Sequence, residues 1–174
     1  MMKKASRLLK SSLAVLLAFA CVAGSGLPAV VRAEDNAGQT PVNTNLAADK
    51  TVTASAEYGS MPASNLTDDD TASRWSTERD ATQWAYVDLG ASYDMNYFSV
   101  IWESDSVYAS AYNIYVSDDT EDWGEPVVSR TDNASGSSED RLESNVTGQY
   151  VKLEVTSMHG YPSVSASDFK VMLK

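Results

Sequence analysis

The sequence predicts an all-β protein, a sandwich of antiparallel sheets, and two observations carry this prediction. Short runs in which apolar and polar residues alternate are separated by turn residues, which is the pattern of half-buried antiparallel strands. No segment has the long apolar stripe of an amphipathic helix, and no internal repeat is visible. The six runs are 51–56, 84–89, 98–102, 112–116, 150–155 and 169–173. Sheets with one apolar face pack in pairs, so we expect a β-sandwich.

The alternation is clearest in the third and fourth runs. Each places three large apolar side chains on one face: Phe98, Val100 and Trp102 in the third run, and Tyr112, Ile114 and Val116 in the fourth. Side chains two residues apart lie on the same side of a strand, so these faces are expected to pack in the core.

The first 33 residues are predicted to be a secretory signal peptide. Basic residues within 1–10 precede the apolar run 13–23, and the segment ends in the small residue Ala33 expected before a cleavage site. The apolar run is too short to remain in a bilayer as a spanning helix. Lipid attachment at Cys21 is the alternative, although residues 18–20 match a lipobox poorly. We expect the mature protein to be secreted and extracellular.

The rest of the chain divides into a short linker and one domain. Residues 34–44 are polar and contain no aromatic residue, which predicts a flexible linker, and residues 45–174 form the domain. Cys21 is the only cysteine, so the mature chain cannot form a disulfide. Roughly 140 residues are enough to bury one core without such a crosslink.

The charge of the chain limits its partners. The sequence has 24 acidic and 13 basic residues, and removal of residues 1–33 takes away five of the basic ones, which leaves a formal charge of −16. Such a field repels phosphate backbones and anionic lipids, so we expect neither nucleic-acid binding nor membrane insertion. Neutral ligands and cations remain, and solubility alone accounts for many of the charges.

Three adjacent carboxylates, Asp68 to Asp70, precede Ser73 and Trp75. Adjacent like charges repel, so such a run is either fully solvated or binds a hard cation that takes oxygen ligands. An EF-hand is excluded, because counting from Asp68 places Ala72, Ser73 and Arg79 where a ligand, a glycine and a glutamate are required.

A series of motifs identifies a family resemblance. In chain order, the motifs are residues 45–55, residues 68–75 (Asp68-Asp69-Asp70-Thr71-Ala72-Ser73-Arg74-Trp75), 83–90, 100–103, 112–119, Trp123, 150–153 and 165–169. In this order they resemble the discoidin, or coagulation factor 5/8 type C, family, and within it the bacterial family 32 carbohydrate-binding modules. The resemblance covers about residues 45–174. It implies an eight-stranded jelly-roll β-sandwich of the galactose-binding-domain-like type, with binding loops at one end.

The resemblance also implies a structural calcium that ties the early loop to the final strand. Carried over by position, its ligands are the side chain of Asp68, the backbone oxygens of Asn65, Asp70, Ser73 and Ser167, the hydroxyl of Ser73, and Asp168. Six or seven oxygens suit calcium. Three positions differ from the family pattern, because Asp69 replaces a turn glycine, Ser73 a threonine and Asp168 a glutamate.

The sequence lacks the parts of most hydrolytic enzymes. His159 is the only histidine, the mature chain has no cysteine, and neither a Gly-x-Ser-x-Gly motif nor a zinc-ligand spacing occurs. A glycosidase needs only two carboxylates, but nothing singles out such a pair. We therefore expect a protein that is not an enzyme.

A sugar-binding module needs an aromatic face for the C–H surface of a pyranose and a few polar groups for its hydroxyls. Three loops offer such groups, and the candidate ligand-binding residues are Glu78, Arg79, Glu103, Tyr108, His159 and Tyr161. Each has a simpler interpretation. Glu78 and Arg79 could form a solvated pair, His159 could be an ordinary loop residue, and Tyr161 before Pro162 could shape a turn. The four tryptophans are expected in the core, and Tyr58 has no assigned role.

The sequence thus predicts a secreted, non-catalytic carbohydrate-binding module with a structural calcium. Its loop end would bind neutral sugars of glycans or polysaccharides, such as a galactose-type, N-acetylhexosamine or glucan residue, and a larger secreted enzyme or a cell surface would be its partner. The alternative is a discoidin-like adhesion module that binds a protein or a cell surface. Apolar loop tips would mark such a module, but the loops are rich in Ser, Asp and Glu.

Overall fold

The computed structural model describes residues 39–80 and 82–174. These residues form seven strands and a short 3-10 helix at Ala63–Leu66. The strands are β1 (Thr51–Ala54), β2 (Trp75–Ser76), β3 (Gln83–Trp102), β4 (Tyr108–Ser117), β5 (Val128–Arg130), β6 (Ser137–His159) and β7 (Ser165–Met172). The all-β prediction is confirmed. The predicted signal peptide, residues 1–33, and the first part of the predicted linker lie outside the described residues.

Two long strands, β3 and β6, contribute to both layers of the fold. The first half of β3, residues 83–88, pairs with β1 and with residues 150–155 of β6. After a register shift next to Asn96, the second half pairs with the first half of β6 and with β7. One layer, the first sheet, therefore has the order β1-β3-β6-β4-β5, and the second sheet has the order β2-β7-β3-β6. The two layers form the predicted jelly-roll sandwich, with seven strands in the described residues where eight were expected; two of the seven, β3 and β6, run through both layers.

The core lies between the two sheets and follows from the alternation along each strand. Its largest fully buried side chains include Phe98, Trp102, Tyr112, Ile114, Leu153 and Phe169, and Trp75 is buried with them. Trp84 and Trp123 are not in the core, contrary to expectation. Trp84 alternates with the buried Ala85 and therefore faces solvent, where it is only partly exposed.

A buried polar cluster joins β4, β5 and β6. The hydroxyl of Tyr112 donates to Asp140 Oδ2 at 2.7 Å, and Arg130 Nε donates to the other oxygen of the same carboxylate at 2.7 Å. Asp140 is buried, so the charged hydrogen bond from Arg130 offsets the cost of removing the carboxylate from water. Burial raises the pKa of Tyr112 and keeps its hydroxyl protonated as a donor.

The packed part of the chain extends back before residue 45. The amide of Asp94 donates to the hydroxyl of Thr40 at 2.9 Å, and the amide of Asn43 donates to the carbonyl of Leu173 at 2.8 Å. Residues 40–44 of the predicted linker are thus held against the domain. Within the described ranges, no helix has the length and apolar content needed to cross a bilayer.

Candidate functional site

A pocket of about 650 Å³ opens at one end of the sandwich. Its lining comes from four segments: Tyr58 and Met61, Arg74 and residues 76–79 around β2, Glu103 and Val107 after β3, and Tyr161 and Ser163 before β7. The pocket is therefore built mainly from loops, and loops at one end of a rigid sandwich are a common place for binding residues.

Backbone hydrogen bonds bring these four segments together. The amide of Thr77 donates to the carbonyl of Val164 at 3.0 Å, and the amide of Val164 donates to the hydroxyl of Thr77 at 3.1 Å. The amide of Tyr58 donates to the carbonyl of Ser76 at 2.8 Å, while that of Glu103 donates to Ser165 at 3.2 Å. The short strand β2 thus connects the early loop to the late loop.

The best-defined side-chain contact in the pocket joins Arg79 to Tyr161. Arg79 Nε donates to the Tyr161 hydroxyl at 2.9 Å, and the guanidinium carbon lies 5.1 Å from the centre of the ring. Tyr161 is 46% exposed, so part of its ring remains free for a ligand. Gly160 has φ +84°, and a Cβ there would clash with the carbonyl oxygen of Ser106, so the turn that presents Tyr161 requires glycine.

The pocket also carries charges of both signs. Glu78, Glu103, Arg74 and Arg79 line it, and Arg74 Nη2 lies 3.9 Å from Glu103 Oε1. Both partners of that pair are more than a third exposed, so the pair contributes little to stability and both groups can turn toward a ligand. Carboxylates and guanidinium groups beside tyrosine rings can hydrogen-bond the hydroxyl or amino groups of a saccharide.

Of the six predicted ligand-binding residues, the structure brings four together in this pocket: Glu78, Arg79, Glu103 and Tyr161. Tyr108 and His159 do not line it. Their side chains pair across β4 and β6 and stack, with ring centroids 4.6 Å apart and an angle of 14° between the rings. Tyr108 is buried and His159 exposed, so the pair supports the end of the sheet next to Val107 and Gly160.

Sequence reasoning missed several lining residues. Tyr58, which is 51% exposed, is an aromatic residue to which the sequence assigns no role. Arg74 immediately precedes the buried Trp75, and its side chain is 42% exposed. Nothing in the sequence singled out Met61 or Val107.

The acidic turn, residues 68–73, is internally hydrogen-bonded. Asp68 Oδ1 accepts the amide of Asp70 at 3.0 Å, and Asp68 Oδ2 accepts the hydroxyl of Ser73 at 2.7 Å. Asp69 has φ +54°, the left-handed conformation that a glycine would adopt without strain. Asp69 therefore adopts a backbone conformation that favours glycine, the residue that the family resemblance predicts at this position.

Asp168 of β7 is the buried carboxylate of the predicted metal set. It is 1% exposed, and neither carboxylate oxygen accepts a well-aligned hydrogen bond. Instead, the ammonium of Lys170 lies 3.1 Å from Asp168 Oδ2 and 3.4 Å from Asp69 Oδ1. Burial raises the pKa of Asp168, and the ammonium of Lys170 opposes that shift. A buried carboxylate with so few donors is suited to a cation.

The other predicted ligands are placed less directly. Ser167 is buried beside Asp168. The side-chain amide of Asn65 donates to the carbonyl of Arg74 at 2.8 Å, a contact that does not involve the predicted ligand atom, the backbone oxygen of Asn65. The backbone oxygen of Asp70 accepts the amide and the hydroxyl of Ser73, both at 3.1 Å. In the part of the chain that the structure describes, no three acidic, histidine or cysteine side chains converge on one metal position. A calcium here would rely mainly on backbone oxygens, with Asp68 and Asp168 as the charged ligands.

A jelly-roll sandwich with an open, aromatic and charged pocket among its end loops has the architecture of a ligand-binding module. Residues 51–168 match the family model of the F5/8 type C domain, and the chain belongs to this family. The resemblance predicted from the sequence motifs is confirmed. A search of the curated proteins found no match.

Solved structures similar to this chain include carbohydrate-binding modules. Chitosan-binding module 1 of a chitosanase/glucanase from Paenibacillus sp. IK-5 is 34% identical, with a TM-score of 0.66 over 74% of this chain and 98% of that chain. Module 2 of the same enzyme, in complex with chitotriose, is 26% identical, with a TM-score of 0.65 over 74% and 99%. A family 32 module of C. perfringens NanJ, in complex with galactose, shares the fold at 17% identity and a TM-score of 0.62 over 71% and 93%.

Proposed function

We propose that the chain is a secreted, non-catalytic carbohydrate-binding module whose pocket binds a glucosamine-containing saccharide of the chitosan class. The observation that carries the proposal is the contact between Arg79 and Tyr161 in a pocket that also holds the carboxylates of Glu78 and Glu103. The identity of 34% to a chitosan-binding module supports the choice of ligand.

The aromatic residues of the pocket supply the apolar part of recognition. Tyr58 and Tyr161 are the two exposed tyrosines of the lining. An exposed ring can cover the C–H face of a pyranose, and Arg79 fixes the orientation of the Tyr161 ring before the ligand arrives. Preorganisation of this kind reduces the entropy lost on binding.

The charged residues favour an amino sugar over the neutral sugar expected from the sequence. Glu78 and Glu103 can accept hydrogen bonds from an ammonium group, and Arg74 and Arg79 can donate to ring hydroxyls. The net charge of −11 for the full chain adds a long-range attraction for a cationic polymer. A neutral sugar would use the hydroxyl contacts but not the charge.

We include a structural calcium in this proposal. Asp68 and Asp168 would be its charged ligands, with Asn65, Asp70, Ser73 and Ser167 supplying backbone or hydroxyl oxygens. The buried carboxylate of Asp168 and the ordered turn around Asp68 support the assignment. The ion would stabilise the early loop, from which the neighbouring pocket segment 74–79 continues.

Secretion is the remaining part of the proposal and rests on the signal-peptide pattern of residues 1–33. Related modules come from a chitosanase/glucanase, which supports a partner enzyme or a polysaccharide surface as the setting in which this module acts. The amino-terminal sequence of protein recovered from the culture medium checks this part: a chain that begins near residue 34 supports it, and retention inside the cell contradicts it.

Calorimetric titration tests the ligand directly. Wild-type protein is titrated with chitotriose, with fully N-acetylated chitotriose, which lacks the ammonium groups, and with galactose. We expect the tightest binding to chitotriose and a loss of affinity in Glu103→Gln, which keeps the shape of the side chain but removes its charge. Equal affinity for the acetylated sugar would contradict the role of the carboxylates. No binding to any glycan, together with capture by a protein partner, would favour the adhesion alternative.

A further inference from the structure

The outer face of the first sheet carries five aromatic side chains that the pocket does not use. They are Trp84 and Tyr86 of β3, Tyr115 of β4, Tyr150 of β6, and Trp123 from the loop between β4 and β5. All five are partly exposed. We call this set the aromatic face, and it shares no residue with the pocket.

Strand alternation explains why these rings collect on one side. Ala85 and Val87 face the core, so Trp84 and Tyr86 face outward. Across the sheet, Tyr86 is paired with Lys152, and Lys152 is paired with Tyr115, so all three side chains project from the same face. The register of the sheet therefore builds the surface from three neighbouring strands.

The rings are held in a defined arrangement. Trp84 and Tyr86 have centroids 5.9 Å apart and planes 11° apart, while Tyr86 lies 5.6 Å from Trp123 and 6.0 Å from Tyr150. The ammonium of Lys152 lies 4.6 Å from the centre of Trp123 and 4.2 Å from that of Tyr115. These cation–π contacts tie the loop that carries Trp123 to the sheet, so the surface is preorganised.

The surroundings of the aromatic face are strongly acidic. The stretches 84–88, 113–125 and 150–154 contain seven carboxylates, Asp88, Asp118, Asp119, Glu121, Asp122, Glu125 and Glu154, and a single basic residue, Lys152. The ammonium of Lys152 is already engaged by two rings. The charge of this surface therefore complements a ligand that is cationic and that also has apolar faces to stack.

We propose that the aromatic face is a second carbohydrate-binding surface, and that its ligand is a chain of β-linked amino sugars of the chitosan class. Aromatic rings cover the C–H faces of successive pyranoses, and the surrounding carboxylates attract the ammonium groups. An outward sheet face admits an internal stretch of a polymer. Two surfaces on one module also raise its avidity for a polysaccharide without any new contact in the pocket.

Tryptophan fluorescence separates the two surfaces. The chain has four tryptophans, all within the described residues, and none of them lines the pocket. Trp75 and Trp102 are buried, so Trp84 and Trp123 are the ones that a ligand on the aromatic face can touch. The full chain carrying Arg79→Ala and Tyr161→Ala, which disables the pocket, is titrated with a soluble chitosan hexasaccharide.

We expect saturable quenching in this pocket variant, and about a tenfold or greater loss of affinity when Trp84→Ala is added. Tyr150→Ser is a second variant of the aromatic face, which tests the same proposal if Trp84→Ala does not fold. The melting temperature shows whether each variant is folded. Absence of quenching in the pocket variant would overturn the proposal, and so would equal quenching by a neutral cellulose hexasaccharide. A failure of the proposed pocket site is distinguished by a separate measurement: the variant with Arg79→Ala and Tyr161→Ala would then bind chitotriose with unchanged affinity.

Discussion

Lys170 forms an ion pair with Asp168, with its ammonium 3.1 Å from a carboxylate oxygen that is almost completely buried. The same ammonium lies 3.4 Å from Asp69 in the acidic turn. A lysine side chain thus joins the early loop to the last strand, which is the connection that the proposed calcium would make. Two cations that neutralise the same carboxylate compete for it. We therefore expect calcium to stabilise the protein more when Lys170 is absent.

The first prediction follows from that competition. Lys170→Met should lower the stability of calcium-free protein by about 1–3 kcal/mol, because it leaves a buried carboxylate without a partner. Added calcium should then raise the melting temperature of the variant more than that of wild type. Thermal unfolding with chelator and with calcium measures both effects. Lys50→Met, which removes a lysine from outside this contact, is the control, and the same calcium response in both variants would contradict the prediction.

The second prediction concerns the exposed tyrosine of the pocket. Tyr161→Ala should weaken saccharide binding about tenfold while leaving the melting temperature nearly unchanged, because much of the ring is exposed in the free protein. Tyr161→Phe keeps the ring but removes the acceptor for Arg79, so it should retain an intermediate affinity. Calorimetric titration with chitotriose measures these differences. Tyr93→Ala, outside the pocket, is the control for affinity only, because Tyr93 packs partly against the core, and an equal loss of affinity in that folded variant would locate binding elsewhere.

Much of the fold could be predicted because alternation in the sequence reflects local backbone geometry. The paired strands around Val100 and Ile114 follow directly from that period. The outward orientation of Trp84 does not, because both sides of its strand carry apolar residues, with Trp84 and Tyr86 on one and Ala85 and Val87 on the other. Which side meets the core depends on the second sheet, and that is not a local property.

The site could be predicted only in part for a similar reason. Arg79 and Tyr161 lie 82 residues apart, and the family motifs placed their loops at one end of the sandwich. The stacking of Tyr108 on His159 instead depends on the register between β4 and β6, which no local pattern specifies. The role of Lys170 depends on the approach of β7 to the acidic turn and is likewise a property of the assembled fold.

The third prediction tests the turn that presents Tyr161. Gly160→Ala should destabilise the protein and weaken saccharide binding, because the added Cβ would clash with the carbonyl of Ser106 and the backbone has φ +84°. Gly124→Ala is the matched control, since Gly124 has φ +59° but open space around its Cβ position. Gly124→Ala therefore adds only backbone strain, which should lower the free energy of unfolding by about 1 kcal/mol. Denaturant unfolding and chitotriose titration measure the two effects, and equal behaviour of the variants would contradict the steric argument.

The fourth prediction concerns stability at alkaline pH. Burial, with a further contribution from Asp140, raises the pKa of Tyr112, so the folded protein keeps a proton that the unfolded chain releases above about pH 10. This contribution to stability is complete below that pH and is lost as the pH rises, by up to about 1.4 kcal/mol per pH unit. Tyr112→Phe should be less stable at neutral pH by about 1 kcal/mol, because Asp140 loses a hydrogen bond, but its stability should fall less steeply above pH 10.

Urea unfolding at several pH values between neutrality and about 11.5 measures the two slopes over the range in which the unfolded tyrosine titrates. Tyr115→Phe is the matched comparison. The pKa of Tyr115 is also raised by burial and by its hydrogen bond to Glu154, but this side chain lies on the outer face of the sheet, so its removal should flatten the slope less. Burial lowers the pKa of Lys152, and this lowered pKa makes stability rise rather than fall as the pH increases. Lys152 is present in both wild type and Tyr112→Phe, so its contribution largely cancels from the difference between their slopes. Parallel slopes for wild type and Tyr112→Phe would show that Tyr112 is not held protonated by the fold.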